Sequence, residues 1–349
     1  MRVAVVGATG NVGTSVVSAL AADRNVTSIV GLARRRPEWD PPKTTWRTVD
    51  VVTGDLAPHL EGADAVIHLA WLFQPTRSPV TTWRNNVLGS IRTFEAAARA
   101  GVPALVHASS VGAYSSAPKD LKVTEDWPTH GWPGAAYGRE KAYVERVLDL
   151  FERDHPDIRV VRLRPGFIFK RGAAVGQRRL FGGPFVPQRL VRPGLIPFVP
   201  DTPELRFQTV HSDDVGEAYR LAVTRPVSGA FNIAADPVIE PSVLAELLGA
   251  RLVPVSGWAL RSTVAAAWRL RLIPASPDLV DLVLRMPIMD TGRARAELGW
   301  QPRHTAVDAM RELFEGLRSA EGMDTPPLSP RTGGPARLGE LAGGVGRKP

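Results

Sequence analysis

Through the first two-thirds of the chain, short runs of apolar and β-branched residues alternate with segments whose apolar positions recur every three to four residues. Unbroken apolar runs mark strands buried on both faces, and the longer-period segments are the helices that cover them. Strands are expected at Arg2 to Val6, Val26 to Leu32, Ala65 to Leu69, Ala104 to Ala108 and Ile158 to Leu163. Helices are expected at Val12 to Ala22, Val87 to Ala100 and Tyr137 to Asp154, the last stopping before Pro156, whose ring cannot continue a helix. This alternation predicts an α/β fold with a Rossmann-type, doubly wound parallel sheet.

From Gly166 the pattern changes. Gly and Pro become frequent through Pro200, Asp213 to Thr224 reads as a helix and Gly229 to Ala234 as a strand. Helical periods return at Pro241 to Leu248, Leu260 to Leu272 and Thr305 to Leu317. The expected division is therefore a Rossmann domain at 1–165, with 207–235 returning to it, and a smaller, loop-rich substrate region at 166–206 and 236–318. Residues 319–349 carry Pro and Gly pairs without an apolar period and are expected to be a disordered tail.

Composition narrows the chemistry. The 349 residues are 44% hydrophobic, enough for a substantial core, and the chain has no cysteine, which removes thiolate catalysis, disulfides and thiolate metal sites. The net charge of +8 is nearly all arginine, with lysine only at 43, 119, 122, 141, 170 and 348, so a composition bias accounts for it as well as a nucleic-acid surface does. No apolar leader opens the chain and no run of ~20 uncharged residues could span a bilayer, so a cytoplasmic location is expected. Trp258 to Leu272 mixes Trp258, Leu260, Val264, Trp268 and Leu272 with Arg261, Arg269 and Arg271. Such an amphipathic helix either packs on the substrate region, the preferred reading, or rests on a membrane surface.

The chemistry-bearing positions follow the strand ends. After the first strand comes Gly7-Ala8-Thr9-Gly10-Asn11-Val12-Gly13, opening directly into a helix. Glycines there allow a tight turn and close approach of a pyrophosphate, and the helix N-terminus offers N–H donors and a partial positive charge, so a dinucleotide cofactor is expected. The carboxylate that holds an NAD ribose about 20 residues further on is replaced by Ala33-Arg34-Arg35-Arg36. Guanidinium groups at Arg34 and Arg35 suit the 2′-phosphate of NADP, and NADP(H) is expected in preference to NAD(H). Further on, Ser109 and Ser110 end the strand at Ala108, and Tyr137 and Lys141 stand at i, i+4 on one helix face. A free tyrosine, with a pKa of about 10, needs help to act as a base near neutrality, and an adjacent cation supplies part of it.

Glycine loop, strand-end serines and Tyr-x-x-x-Lys in this order resemble the extended short-chain dehydrogenase/reductases, also called the NAD-dependent epimerase/dehydratase family. The likeness covers about residues 1 to 318, through His68-Leu69-Ala70, Asn86 to Gly89, Ser109 to Tyr114, Arg164-Pro165-Gly166 and Glu297 to Trp300. The resemblance implies that Tyr137 is the acid/base, that Lys141 lowers its pKa and holds the nicotinamide ribose, and that Ser110 binds the substrate oxygen. It further implies cofactor contacts from Gly7, Thr9, Gly10, Asn11, Val12, Gly13, Asp50, Val51, Leu69, Ala70, Asn86, Ser109 and Pro165. Trp71, Trp132 and Phe167 are expected to join Ser110 around the substrate. A homodimer is expected from the helices that pair subunits in many relatives.

The chain also departs from that family. Where the dehydratase branch carries Asp and Glu after its catalytic hydroxyl, this chain has Val111 and Gly112, so dehydration is ranked low. The arginine that clamps a nucleotide sugar's phosphates, four residues before His211, is Phe207 here, with Arg206 displaced by one. Such a shift flips a strand side chain to the other face, although arginines at 171, 178, 179, 189 and 192 could replace the clamp. The first functional expectation is therefore an NADP(H)-dependent oxidoreductase for a ketone or alcohol small molecule, with neither nucleic acid nor metal involved. The alternative is a nucleotide-sugar epimerase with tightly bound NAD, followed by a non-catalytic NADP-sensing regulator. His211, Asp213 and Asp214 have the make-up of a metal or triad cluster, but the resemblance implies a structural strand-to-helix turn, capped by Ser212 or Asp213. The basic stretch Arg162, Arg164, Lys170 and Arg171 is expected to be a solvated edge.

Overall fold

The computed structural model describes residues 1–183 and 194–333. Seven strands lie side by side in the order Gly229–Ile233, Arg159–Pro165, Ala104–Ala108, Ala65–His68, Arg2–Val6, Ser28–Ala33 and Thr44–Thr48, every pair parallel. The first strand shows why the sequence patterns as it does. Val3 and Val5 point into one core with helices Asn11–Ala22 and Ser212–Thr224, while Ala4 and Val6 point into a second core with Gly89–Arg99 and Ala136–Asp154. Both faces are dry, so the strand is apolar throughout.

The connection reverses at this strand: Ser28–Ala33 continues on one side and Ala65–His68 on the other. A groove opens beyond the strands' carboxyl ends at such a switch point, and there the loop ends converge. Smaller two-stranded pairings, Phe167–Phe169 with Thr209–His211, Phe198–Asp201 with Arg251–Pro254 and Lys122–Val123 with Ile288–Met289, build the loop-rich region above it.

Among the elements that periodicity does not reveal are an edge strand of the main sheet and a helix of the loop-rich region. Thr44–Thr48 is an edge strand with a single inward apolar residue, Trp46, packed over Gly31. Helix Pro277–Arg285 lies against helix Gly257–Arg269, which has no fully buried residue and is held by Arg261 to Asp281 at 2.7 Å. Its Trp268 indole donates to Thr76, while Trp258 stays exposed.

Three expectations are corrected. Arg162 and Arg164 are not a solvated edge: two residues apart on one strand, they share a face and meet Glu145 inside the protein, and Lys170 is buried against Thr14 and Ser15. Helix Ser212–Thr224 is capped by neither Ser212 nor Asp213; the His211 imidazole accepts from Asp213 N, and its other nitrogen pairs with Glu312 at 2.9 Å. The disordered tail does not begin at 319. Residues through Gly333 are placed, with Thr325 and Leu328 buried, because two anchoring side chains suffice to fix a segment that lacks any periodic pattern. The remainder of that expected tail, 334–349, lies outside the described residues.

Candidate active site

The glycine loop joins strand Arg2–Val6 to helix Asn11–Ala22. Gly7 has φ +89°, and a Cβ there would stand 2.7 Å from the Ala70 backbone nitrogen; at Gly13 it would stand 2.4 Å from Gly7 O. Only glycine permits both approaches. Gly10 caps the helix without a side-chain bond, so the first-turn N–H groups reach the cavity wall uncapped, ready for an anion. The amide oxygen of Asn11 is buried and has no partner.

These residues form one end of a cavity of about 600 Å³ at the sheet's carboxyl edge. Of the positions singled out from sequence, Gly7, Thr9, Gly10, Asn11, Val12, Gly13, Arg34, Val51, Leu69, Ala70, Asn86, Ser109, Ser110, Tyr137, Lys141 and Pro165 line it, together with Trp71 and Phe167. Three do not. Arg35 points outward and is exposed, Asp50 turns its carboxylate to the Val52 N–H at 2.8 Å, and Trp132 lies outside the wall under Arg285, whose guanidinium sits 4.4 Å above the indole. Arg34 is partly desolvated, which lowers its pKa, with the Asp50 charge opposing that shift. Beyond Tyr137 the wall is made by Leu72, Phe73, Phe181, Leu279, Val283 and Met286.

Tyr137 opens helix Ala136–Asp154 and faces the cavity, with Phe73 stacked on its ring at 4.6 Å and Trp71 edge-on at 5.9 Å. Desolvation by these neighbours pushes the phenol up to about 12, and a hydrogen bond with Ser110 only partly offsets it. Ser110 Oγ also accepts from Gly112 N at 3.0 Å, which fixes the hydroxyl beside the tyrosine. Lys141 is 3% exposed; its ammonium donates to Ala108 O at 2.6 Å and lies 3.4 Å over the Trp71 ring. Burial brings its pKa down to about 7 against the opposing charges of Glu145 and Glu140. The ammonium lies 5.8 Å from the Tyr137 ring centroid, farther than from Trp71, and the Glu140 charge adds to the desolvation that raises the phenol.

Two carboxylates absent from the sequence-derived set complete the site. Glu140 accepts from Thr82 at 2.6 Å and Asn86 at 2.7 Å, and the Asn86 amide also exchanges two hydrogen bonds with the Leu72 backbone, tying down the segment that carries Trp71 and Phe73. Glu145, fully buried, accepts from Ser109 and from Arg164 and Arg162. Burial alone would raise its pKa; the hydrogen bonds and charge of Arg164, then Arg162 and Ser109, override that and hold it at about 2. Glu140 follows Tyr137 at i+3 and Glu145 follows Lys141 at i+4, the spacings that set helical side chains side by side, and those two pairs were the available signal.

The position of the phosphate clamp is occupied otherwise. Phe207 packs on Phe167 at 5.2 Å, and Arg206 pairs with Glu240 at 2.8 Å. Among the candidate replacements, Arg171 pairs with Glu321, Arg178 donates to Gly183 O, and Arg179 reaches the cavity while donating to Pro327 O. Arg189 and Arg192 lie outside the described residues. No group of three or more His, Asp or Glu that could hold a metal is found among the described residues, and no helix among them is long and apolar enough to cross a membrane.

A parallel doubly wound sheet, a glycine loop at its switch point and a Ser/Tyr/Lys wall define the class of extended short-chain dehydrogenase/reductases. Residues 3–234 match the model of the NAD dependent epimerase/dehydratase family, and the chain belongs to that family. A UDP-glucose 4-epimerase of Mycolicibacterium smegmatis is 28% identical over 335 residues, which cover 91% of this chain and 99% of that protein. An uncharacterized protein of Mycobacterium tuberculosis is 29% identical over 260 residues, covering 72% of this chain, so that the match spans 65% of that relative's length. Among solved structures, MoeE5 in complex with UDP-glucuronic acid and NAD superposes with TM-score 0.67 at 23% identity, over 92% of this chain and 100% of that one. A UDP-glucose 4-epimerase of Thermotoga maritima gives TM-score 0.67 at 20% identity, over 92% and 99%. These structures share the fold. The comparisons favour the epimerase alternative over the ketone reductase expected first, and they lend no support to NADP over NAD.

Proposed function

We propose that the chain is a nicotinamide-dependent enzyme that interconverts a secondary alcohol and its ketone at one carbon of a small molecule, in the epimerase form, with the cofactor retained through the cycle. The observation that carries this reading is the convergence of the Tyr137 phenol, the Ser110 hydroxyl and the Lys141 amine on one wall of the cavity that begins at the glycine loop. The cofactor site is consistent with the residues present: a helix N-terminus without a side-chain cap and a loop where added Cβ atoms collide. Gly7 to Gly13 would hold the pyrophosphate and Val51 the adenine side, with Arg34 toward the ribose. The nicotinamide, when bound, supplies the hydride chemistry. Tyr137 exchanges a proton with the substrate oxygen, Ser110 hydrogen-bonds that oxygen, and Lys141 holds the nicotinamide ribose. Full-length similarity to a curated 4-epimerase supports the retained-cofactor form.

A second reading, the NADP(H)-dependent reductase, is favoured by a specific observation: the wall past Tyr137 is aliphatic and aromatic, and Phe207 occupies the clamp position. An NADP(H) preference, a homodimer and a cytoplasmic location belong to this proposal, the first resting on Arg34 at the end of a second strand that carries no carboxylate. The test is to incubate the purified protein with UDP-glucose without added cofactor and follow the sugar by NMR. Appearance of the 4-epimer, lost in Tyr137→Phe, supports the epimerase. An inert sugar nucleotide together with consumption of added NADPH on an apolar ketone selects the reductase.

A further inference from the structure

The segment Glu321–Gly333 follows the last long helix, Ala306–Ser319, and crosses the groove from its outside. Its contacts touch three separate parts of the proposed cofactor path. Asp324 O accepts from Trp39 N at 3.1 Å, in the loop that follows the second strand and begins at Arg34. Thr325, 1% exposed, donates its hydroxyl to Thr9 O at 2.9 Å, in the glycine loop. Pro327 O accepts from Arg179, and Leu328, 4% exposed, packs over Gly176, where a Cβ would stand 3.1 Å from its methyl. Pro327 and Leu328 line the same cavity as Gly7, Thr9 and Gly10. The segment holds its own shape through Leu328 N and Ser329 N, which both donate to Thr325 O.

We infer that Thr325–Leu328 is the outer wall of the dinucleotide site, a strap under which a bound nicotinamide cofactor is kept from exchanging. The inference rests on the reading that the groove takes such a cofactor. A segment anchored at both the adenosine-side loop and the substrate-side helix, with its middle on the glycine loop, closes the groove over the place where the pyrophosphate meets the helix N-terminus. Release then requires the Thr325 and Leu328 contacts to break, so the strap acts on the dissociation rate, the quantity in which affinity differences between related complexes mostly reside. Slow exchange is what an enzyme that returns its hydride to the same substrate needs.

The test compares the full chain with two variants: one ending at Ala320, and the double substitution Thr325→Ala, Leu328→Ser, which keeps the chain length if the truncation fails to fold. NADPH is bound, then chased with excess NADP+, and its release is followed by nicotinamide fluorescence. The expected result is release at least roughly tenfold faster from a folded variant, with association little changed. Equal release rates in the full chain and a folded variant would overturn the strap while leaving the cofactor reading intact. Failure of the full chain to bind NADPH or NADH at all would overturn the cofactor reading itself, and the strap with it.

Discussion

At the scale of single residues, the site is a contest between desolvation and local partners. Phe73 and Trp71 press on Tyr137, and the phenol rises to about 12, so its reactivity depends on what shares the cavity with it. Tyr137→Phe is expected to bind nicotinamide cofactor as well as the parent while kcat falls by about 10²- to 10⁴-fold, as loss of a positioned proton-transfer group does; steady-state rates beside a binding titration check it. Lys141 makes a separate prediction. Its folded pKa of about 7 lies below the ordinary 10.5, so between those values the unfolded chain binds more protons and this residue makes stability rise with pH. Lys141→Met should therefore raise the thermal midpoint relative to the parent most below pH 7, with the advantage shrinking toward pH 10, as read by calorimetry across that range. Tyr137, Lys141 and Ser110 were legible in the sequence because their spacing fixes a common helix face and a strand end. Arg35, Asp50 and Trp132 were misplaced because each lies in a loop, where one residue of phase decides between cavity and solvent and no period records it.

At the scale of elements, helix Ala136–Asp154 does more than carry the tyrosine. One face brings Glu140 to the Asn86 brace and Glu145 to two buried guanidinium groups and Ser109. Removing the Glu145 charge leaves Arg162 and Arg164 with too little compensation inside the protein. Glu145→Gln is expected to cost about 3–5 kcal/mol of stability, seen as a lower denaturation midpoint in urea. The helices that cover the sheet, Asn11–Ala22, Gly89–Arg99, Ala136–Asp154 and Ser212–Thr224, and six of its seven strands were readable because burial on two faces imposes continuous apolar runs on the strands and a long period on the helices. Thr44–Thr48 was not, since an edge strand needs only one inward side chain, and Arg162 and Arg164 misled because polar residues on a strand normally mark its wet face.

Across the whole molecule, the sheet's switch point, the helix Ala136–Asp154 and the C-terminal strap all face one groove. The first two follow from hydrophobic periodicity and topology. The strap does not: its hold rests on Thr325, Pro327 and Leu328 in a run that otherwise has the composition of a linker, so local composition could not announce it. The proposed NADP(H) preference rests on Arg34 standing where an acidic residue would hold a ribose hydroxyl, and it predicts that Arg34→Ala weakens NADPH binding roughly tenfold more than NADH binding, since the change removes a charge-assisted partner that only the 2′-phosphate can use. All of this depends on the groove being a nicotinamide dinucleotide site. The most direct measurement is a fluorescence titration of the purified full chain, stripped of any resident nucleotide, with NADPH and with NADH. Saturable binding of both, tighter for NADPH, is the predicted result; no saturable response to either nucleotide would contradict the account at its base.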